Sequence, residues 1–265
     1  MDIWDWVTRA RRQLRSEGHV RLAELVEALP SAVCENAHAR VDAIYPEALA
    51  LARAAGNPWL EVFVRHWNLQ SRILHRHEVA EWMGEAVSLV EFASRDEARG
   101  CPQSVCVTQD LVNCYGNSDG PGFAAERVAA AEETLARIDA RWPCFRCIGG
   151  ELVEALLDAG DAPGALRRLD AMEAAIHKVE GRMERFPMGE SRVAILRRLG
   201  RFEEALALVD ALDDEAYADD DSRLERELER AWLLSLLERP EEAFEVLPPF
   251  EALGGRIACI RRGGR

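Results

Sequence analysis

The 265-residue sequence predicts an all-α protein, a right-handed α-solenoid of about six helix-turn-helix hairpins. Three observations predict it. Apolar residues fall at helical spacing, as in Ala205, Leu208, Val209 and Leu212, which places them on one face of a helix. Helix-stop and helix-start signals adjoin in Leu199-Gly200-Arg201 and Phe202-Glu203-Glu204-Ala205-Leu206: glycine accepts the left-handed conformation that ends a helix, and two glutamates meet the positive end of the next helix dipole. The pattern also recurs. With alanine as the marker, Ala48, Ala86, Ala125, Ala165, Ala205 and Ala243 follow at spacings of 38, 39, 40, 40 and 38 residues, the signature of units that bury a common core by stacking.

The turn returns in Leu157-Asp158-Ala159-Gly160-Asp161-Ala162-Pro163-Gly164-Ala165, where Pro163 suits an early helical position, and in Leu237-Glu238-Arg239-Pro240-Glu241-Glu242-Ala243. Looser copies are Tyr45-Pro46-Glu47-Ala48-Leu49, Gly84-Glu85-Ala86-Val87 and Pro121-Gly122-Phe123-Ala124-Ala125. From Arg146 to Leu253 the copies resemble the tetratricopeptide repeat (TPR), a helix-turn-helix unit. Ala165, Ala205 and Ala243 match its small residue at the helix crossing, Gly160 and Gly200 its glycine before the turn, and Val153, Val193 and Ala231 its first-helix packing site. The unit departs from the family in being about five residues longer than the usual 34, and it mostly lacks the family's tryptophan, tyrosine and closing proline. It is therefore TPR-like rather than a regular member.

Residues 1–30 are expected to form an N-terminal helical cap, broken at Gly18, with Leu22, Leu25, Val26 and Leu29 as a stripe ending at Pro30. A cap covers the apolar end of a solenoid; Trp4 and Trp6 offer a docking surface as the alternative. A first hairpin is expected from Ser31 to Ala55, turning at Tyr45-Pro46. A long helix from Pro58 to Leu74 then pairs with Glu78 to Ala93, their tryptophans serving as core. Pro102 to Tyr115 leads into a glycine-rich loop at Gly116 to Gly122, and the next helix runs to about Arg141. That loop lacks the lysine and hydroxyl of a phosphate-binding P-loop. Phe145 to Ala159 pairs with Ala162 to Val179, Ser191 to Leu199 with Phe202 to Leu212, and a helix from near Ser222 with Glu241 to Leu253. The array thus spans 31–254, an acidic linker lies at Asp213 to Asp221, and 255–265 is a basic tail.

Composition narrows the function. A net charge of -14 speaks against a nucleic-acid or anionic-membrane surface and permits a basic partner. No apolar run reaches the roughly 18 residues of a membrane span, and the first twenty residues are too charged for a secretory signal, so a cytoplasmic location is expected. Seven cysteines, an odd number, point to reduced thiols or a metal rather than a disulfide framework.

The chemistry-bearing groups are few. Cys101 and Cys106 form a C-x4-C pair and Cys144 and Cys147 a C-x2-C pair, each at the start of a first helix. Stacking would set those helices about 8–10 Å apart, so four thiolates could converge on zinc; core or helix-end thiols are the plainer expectation, with no cofactor. His77-Glu78-Val79-Ala80-Glu81 lacks the second histidine of a zinc-protease helix, and His66 and His75 are expected at exposed polar positions. No catalytic motif appears, so no enzyme activity is expected.

From the resemblance, the role implied is that of a scaffold or adaptor holding a protein or peptide on the concave face, formed mainly by the first helices. The residues implied to meet the partner are Arg65, Asn68, Arg72, Gln109, Asn113, Glu151, Glu154, Arg192, Arg197 and Arg230. Alternatives are a peptide-sensing regulator and a zinc protein using the cysteine edge.

Overall fold

The computed structural model describes residues 3–181, 185–213 and 220–248. Among them are thirteen α-helices and no strand. A single helix, α1 (Ile3–Ser16), precedes six hairpins. These are α2 (Val20–Cys34) with α3 (His38–Ala54), α4 (Pro58–Gln70) with α5 (Val79–Ala93), α6 (Ser104–Asp119) with α7 (Ala124–Leu135), α8 (Phe145–Asp158) with α9 (Ala162–Glu180), α10 (Gly189–Arg198) with α11 (Phe202–Asp213), and α12 (Asp220–Leu236) with α13 (Pro240–Val246). A π-turn, Ser71–His75, extends α4.

Five of the six hairpins turn at one left-handed residue: Asn36, His77, Gly160, Gly200 and Glu238. Glycine takes that conformation freely and other residues take it at a cost. Asn36, His77 and Glu238 therefore conceal from the sequence a turn that Gly160 and Gly200 advertise. Local caps fix the helix starts. The Asn57 side chain accepts from the Trp59 and Leu60 amides ahead of α4, and Asp161 accepts from the Gly164 amide at the start of α9.

The alanine markers Ala48, Ala86, Ala165 and Ala205 are fully buried at the hairpin crossings, and Ala243 is nearly so. Ala125 is the exception. It is exposed, its neighbour Ala124 is buried, and the fourth residue of α7, where α9, α11 and α13 carry their alanine, is Arg127. The side chain of Arg127 is buried, and Gly116 on α6 makes the room: a Cβ there would lie 3.0 Å from the guanidinium.

Several expected boundaries move. Pro30 and Pro46 both lie inside helices, so α2 runs on to Cys34 and the first turn falls at Glu35 to Ala37 rather than Tyr45-Pro46. The expected cap boundary at residue 30 thus cuts α2, the first helix of the first hairpin. Gly116 to Asp119 are helical and α7 ends at Leu135. α13 ends at Val246. Most of the acidic linker, the end of the array and the basic tail 255–265 lie outside the described residues. No described helix is long and apolar enough to cross a membrane.

Helix contacts define two rows. First helices touch first helices, α2 with α4, α4 with α6, α6 with α8 and α8 with α10. Second helices pack instead on the first helices before and after them. The tight row is the inner, concave one and the spread row the outer.

Candidate functional site

The inner row is built from first helices, and α1 already lies on part of it. α4 is flanked by α2 and α6 and backed by α3 and α5, which leaves its inner side. There Trp59, Phe63 and Trp67, four residues apart, form an aromatic stripe. Trp6 of α1 sits 6.0 Å from the Trp59 ring and 5.8 Å from Phe63, and Trp4 sits 5.9 Å from Trp67. Both tryptophans expected to cap or dock therefore turn onto this stripe, while the body of α1 packs on α2, the first helix of the first hairpin. The Trp67 indole nitrogen is buried there with no acceptor among the described residues.

Of the ten residues expected to meet a partner, three are sealed in the core. Asn68 is 0% exposed. Arg65 is buried, donates to Glu85 Oε1 at 2.6 Å and to Ser88 Oγ at 3.0 Å, and lies over the Phe92 ring. Asn113 is buried too. Arg65 and Asn68 lie on α4, which is buried nearly all round, and Asn113 lies on the buried side of α6 beside Val112 and Cys114.

The other arginines are engaged as ties. Arg72 bonds Asp42 and Glu78. Arg192 joins α10 to Asp170 and Glu173 of α9. Arg197 reaches Glu229 of α12 and lies 3.7 Å from the Trp232 ring centroid, and Arg230 bonds Asp210 of α11. Gln109 and Glu151 line a small cleft between α6, α7 and α8, and Glu151 lies 3.7 Å from Arg127. Glu154, 70% exposed, is the most open of the ten. Sequence reasoning misses the carboxylate partners of these arginines, because the pairs mostly join different helices.

A second buried tie joins the inner row. His66 Nδ1 lies 2.7 Å from Asp110 Oδ2, and Gln70 Nε2 donates to the other oxygen of Asp110 at 2.6 Å. His66 is thus a core residue rather than an exposed one. Gln70 and Asp110 stand 40 residues apart, one repeat period, and that spacing is the signal available in the sequence.

The four cysteines do not converge as a metal site. Cys106 at the start of α6 and Cys144 at the start of α8 are joined in a disulfide across 38 residues, Cα to Cα 6.6 Å, so the bond pairs one cysteine from each expected pair. The expectation of reduced thiols fails at these two positions. Cys101 is buried with Sγ 3.8 Å from the Trp59 carbonyl oxygen, and burial pushes its thiol up to about 12. Cys147 is exposed. Among the described residues no group of three or more His, Cys, Asp or Glu is placed to hold a metal ion.

Comparison with known proteins tests the architecture. Two solved structures of a Podosopora anserina putative kinesin light chain with nearly identical TPR-like repeats superpose on the chain. One gives a TM-score of 0.54 over 72% of this chain and 92% of that one; the other gives 0.52 over 77% and 98%. The fold is a TPR-like solenoid. At 19% identity in both cases, the likeness concerns the fold alone. No protein-family model and no curated protein sequence matches the chain.

Proposed function

We propose that this TPR-like chain is a non-catalytic scaffold that holds a protein or peptide segment on its inner face. The observation that carries this reading is the helix already seated on the first helices: α1 packs on α2 with its apolar stripe inward and sets Trp4 and Trp6 against Trp59, Phe63 and Trp67 of α4, as a bound segment would. Beyond α1 the row of first helices continues through α8 and α10, whose Glu154, beside Arg127 of α7, and Glu190 are 70% and 66% exposed. These carboxylates, on a chain of net charge -14, favour a basic partner. The test is affinity capture from native lysate by the wild type and by a Glu154→Arg, Glu190→Arg variant of equal helicity. A protein held by the first and lost by the second supports the reading. Identical capture by both removes these carboxylates of the first-helix row from partner binding.

A further inference from the structure

We propose that the groove on the inner side of α2 and α4 is a site for a basic amphipathic helix with aromatic residues on its apolar face, and that α1 is its resident occupant, which such a partner displaces. This rests on the scaffold reading above and names the chemistry of the partner. Four observations carry it.

First, α1 joins the array through an exposed turn. Residues 15–21, which join it to α2, are all exposed, with Gly18 in the left-handed conformation at the turn. Second, α1 buries a single stripe, Ile3, Trp6, Val7, Ala10 and Leu14, and is polar over most of the remainder. The helix it reaches with Trp4 and Trp6, α4, is by contrast buried nearly all round. Third, charge is segregated. Residues 3–16 carry Arg9, Arg11, Arg12 and Arg15 against Asp5, a net +3, which leaves -17 on the rest of a chain whose total is -14. Arg11 and Arg15 both approach Glu27 on α2. Fourth, the fit of α1 is incomplete: Trp4 remains 48% exposed, and the Trp67 indole N–H at the seam lacks an acceptor among the described residues. A partner helix that offers a carbonyl or carboxylate to Trp67 gains a contact that α1 does not make.

A short tether gives α1 a millimolar effective concentration at the groove. A free helix therefore meets strong competition in the intact chain and little once the tether is cut. The experiment places a protease site between Gly18 and His19 of the full chain, cuts the folded protein, and adds a fluorescently labelled synthetic peptide of residues 1–17. The labelled peptide should enter the cut protein with an apparent affinity at least about 10²-fold higher than for the uncut one. A peptide carrying Trp6→Ala should compete about tenfold less well, the loss of roughly 1.4 kcal/mol. In the uncut chain, Trp6→Ala should admit the wild-type peptide while retaining its helicity.

Three results would overturn the proposal. The cut protein keeps its own α1 against excess peptide; or it loses its helical signal when α1 leaves, which makes α1 part of the core; or the released peptide partitions onto phosphatidylserine-containing vesicles in preference to the cut protein, which makes α1 a membrane-surface helix. None of these touches the capture assay with Glu154 and Glu190, so the scaffold reading and the α1 proposal fail separately.

Discussion

Replacing Arg127 with methionine should destabilise the third and fourth hairpins by about 3 kcal/mol. The side chain is 1% exposed and its Nη1 donates to Asp158 Oδ2, with the Gly120 carbonyl at 3.4 Å and the carboxylates of Glu151 and Glu154 at 3.7 and 3.8 Å. Methionine keeps most of the aliphatic volume, so what is lost is the charge. Breaking a fully buried pair costs about 3–5 kcal/mol because it strands the other ion. Here Asp158 is 28% exposed and Glu151 14%, so water regains part of their solvation and the lower end of that range applies. The same geometry ranks the acids. Asp158→Asn, at the direct bond, should cost about 2 kcal/mol, Glu151→Gln about 1 or less, and the largely exposed Glu154→Gln under about 0.5. Urea unfolding at pH 7 followed by far-ultraviolet circular dichroism measures all four. Equal losses at the three carboxylates, or a methionine variant as stable as the wild type, would refute an account based on burial and distance.

Four further outcomes are expected. Reducing Cys106–Cys144, or changing both residues to serine, should lower stability by at most about 4 kcal/mol, the chain-entropy value for a closed loop of 38 residues; urea midpoints with and without reductant measure it. In the folded chain a thiol reagent should modify exposed Cys34 first, Cys147 more slowly because burial and then Glu151 raise its thiol, and spare buried Cys101 and Cys114, both pushed up to about 12 by desolvation, as peptide mapping would show. Glu238→Gly should stabilise the chain by about 0.5–1 kcal/mol by relieving a left-handed φ of 57°; an unchanged melting temperature would contradict this. The hydrogen bond from Arg76, with Arg72 beside it, holds the Asp42 carboxyl below its ordinary 3.8. Its contribution is present above pH 3.8 and is lost as pH falls through the lower folded value. Asp42→Asn should therefore be less stable at neutral pH by under about 1 kcal/mol, since the side chain is nearly half exposed, and should converge on the wild type in an acid titration.

The later hairpins are legible in the sequence because local signals coincide there: Gly160 and Gly200 turn the chain, Asp161 caps, and Ala165 and Ala205 mark the crossing. Earlier in the chain the same geometry is made from residues that signal something else. Pro46 suggests a turn yet sits within α3, where packing around fully buried Ala48 outweighs the hydrogen bond that proline forfeits. Gly116 suggests a loop yet serves to admit the Arg127 guanidinium. At the site, helix membership is readable but the facing of each side chain is not. Arg65 and Asn68 read as groove residues because α4 is a first helix, and nothing local reveals that Arg65 turns onto Glu85, Ser88 and Phe92 of α5 or that α4 is buried nearly all round. Cys106 and Cys144 differ by one period, a spacing that identifies neighbours in a stack and that the closer C-x4-C and C-x2-C pairs obscure.

The two rows of helices place the disulfide where neighbours already meet. First helices abut first helices, while second helices pack on the first helices before and after them. The Cys106–Cys144 bond lies along the first-helix line, between α6 and α8, and so it fastens two helices already in contact. A cross-link between neighbouring second helices would instead bridge elements that pack mainly through the first helix between them.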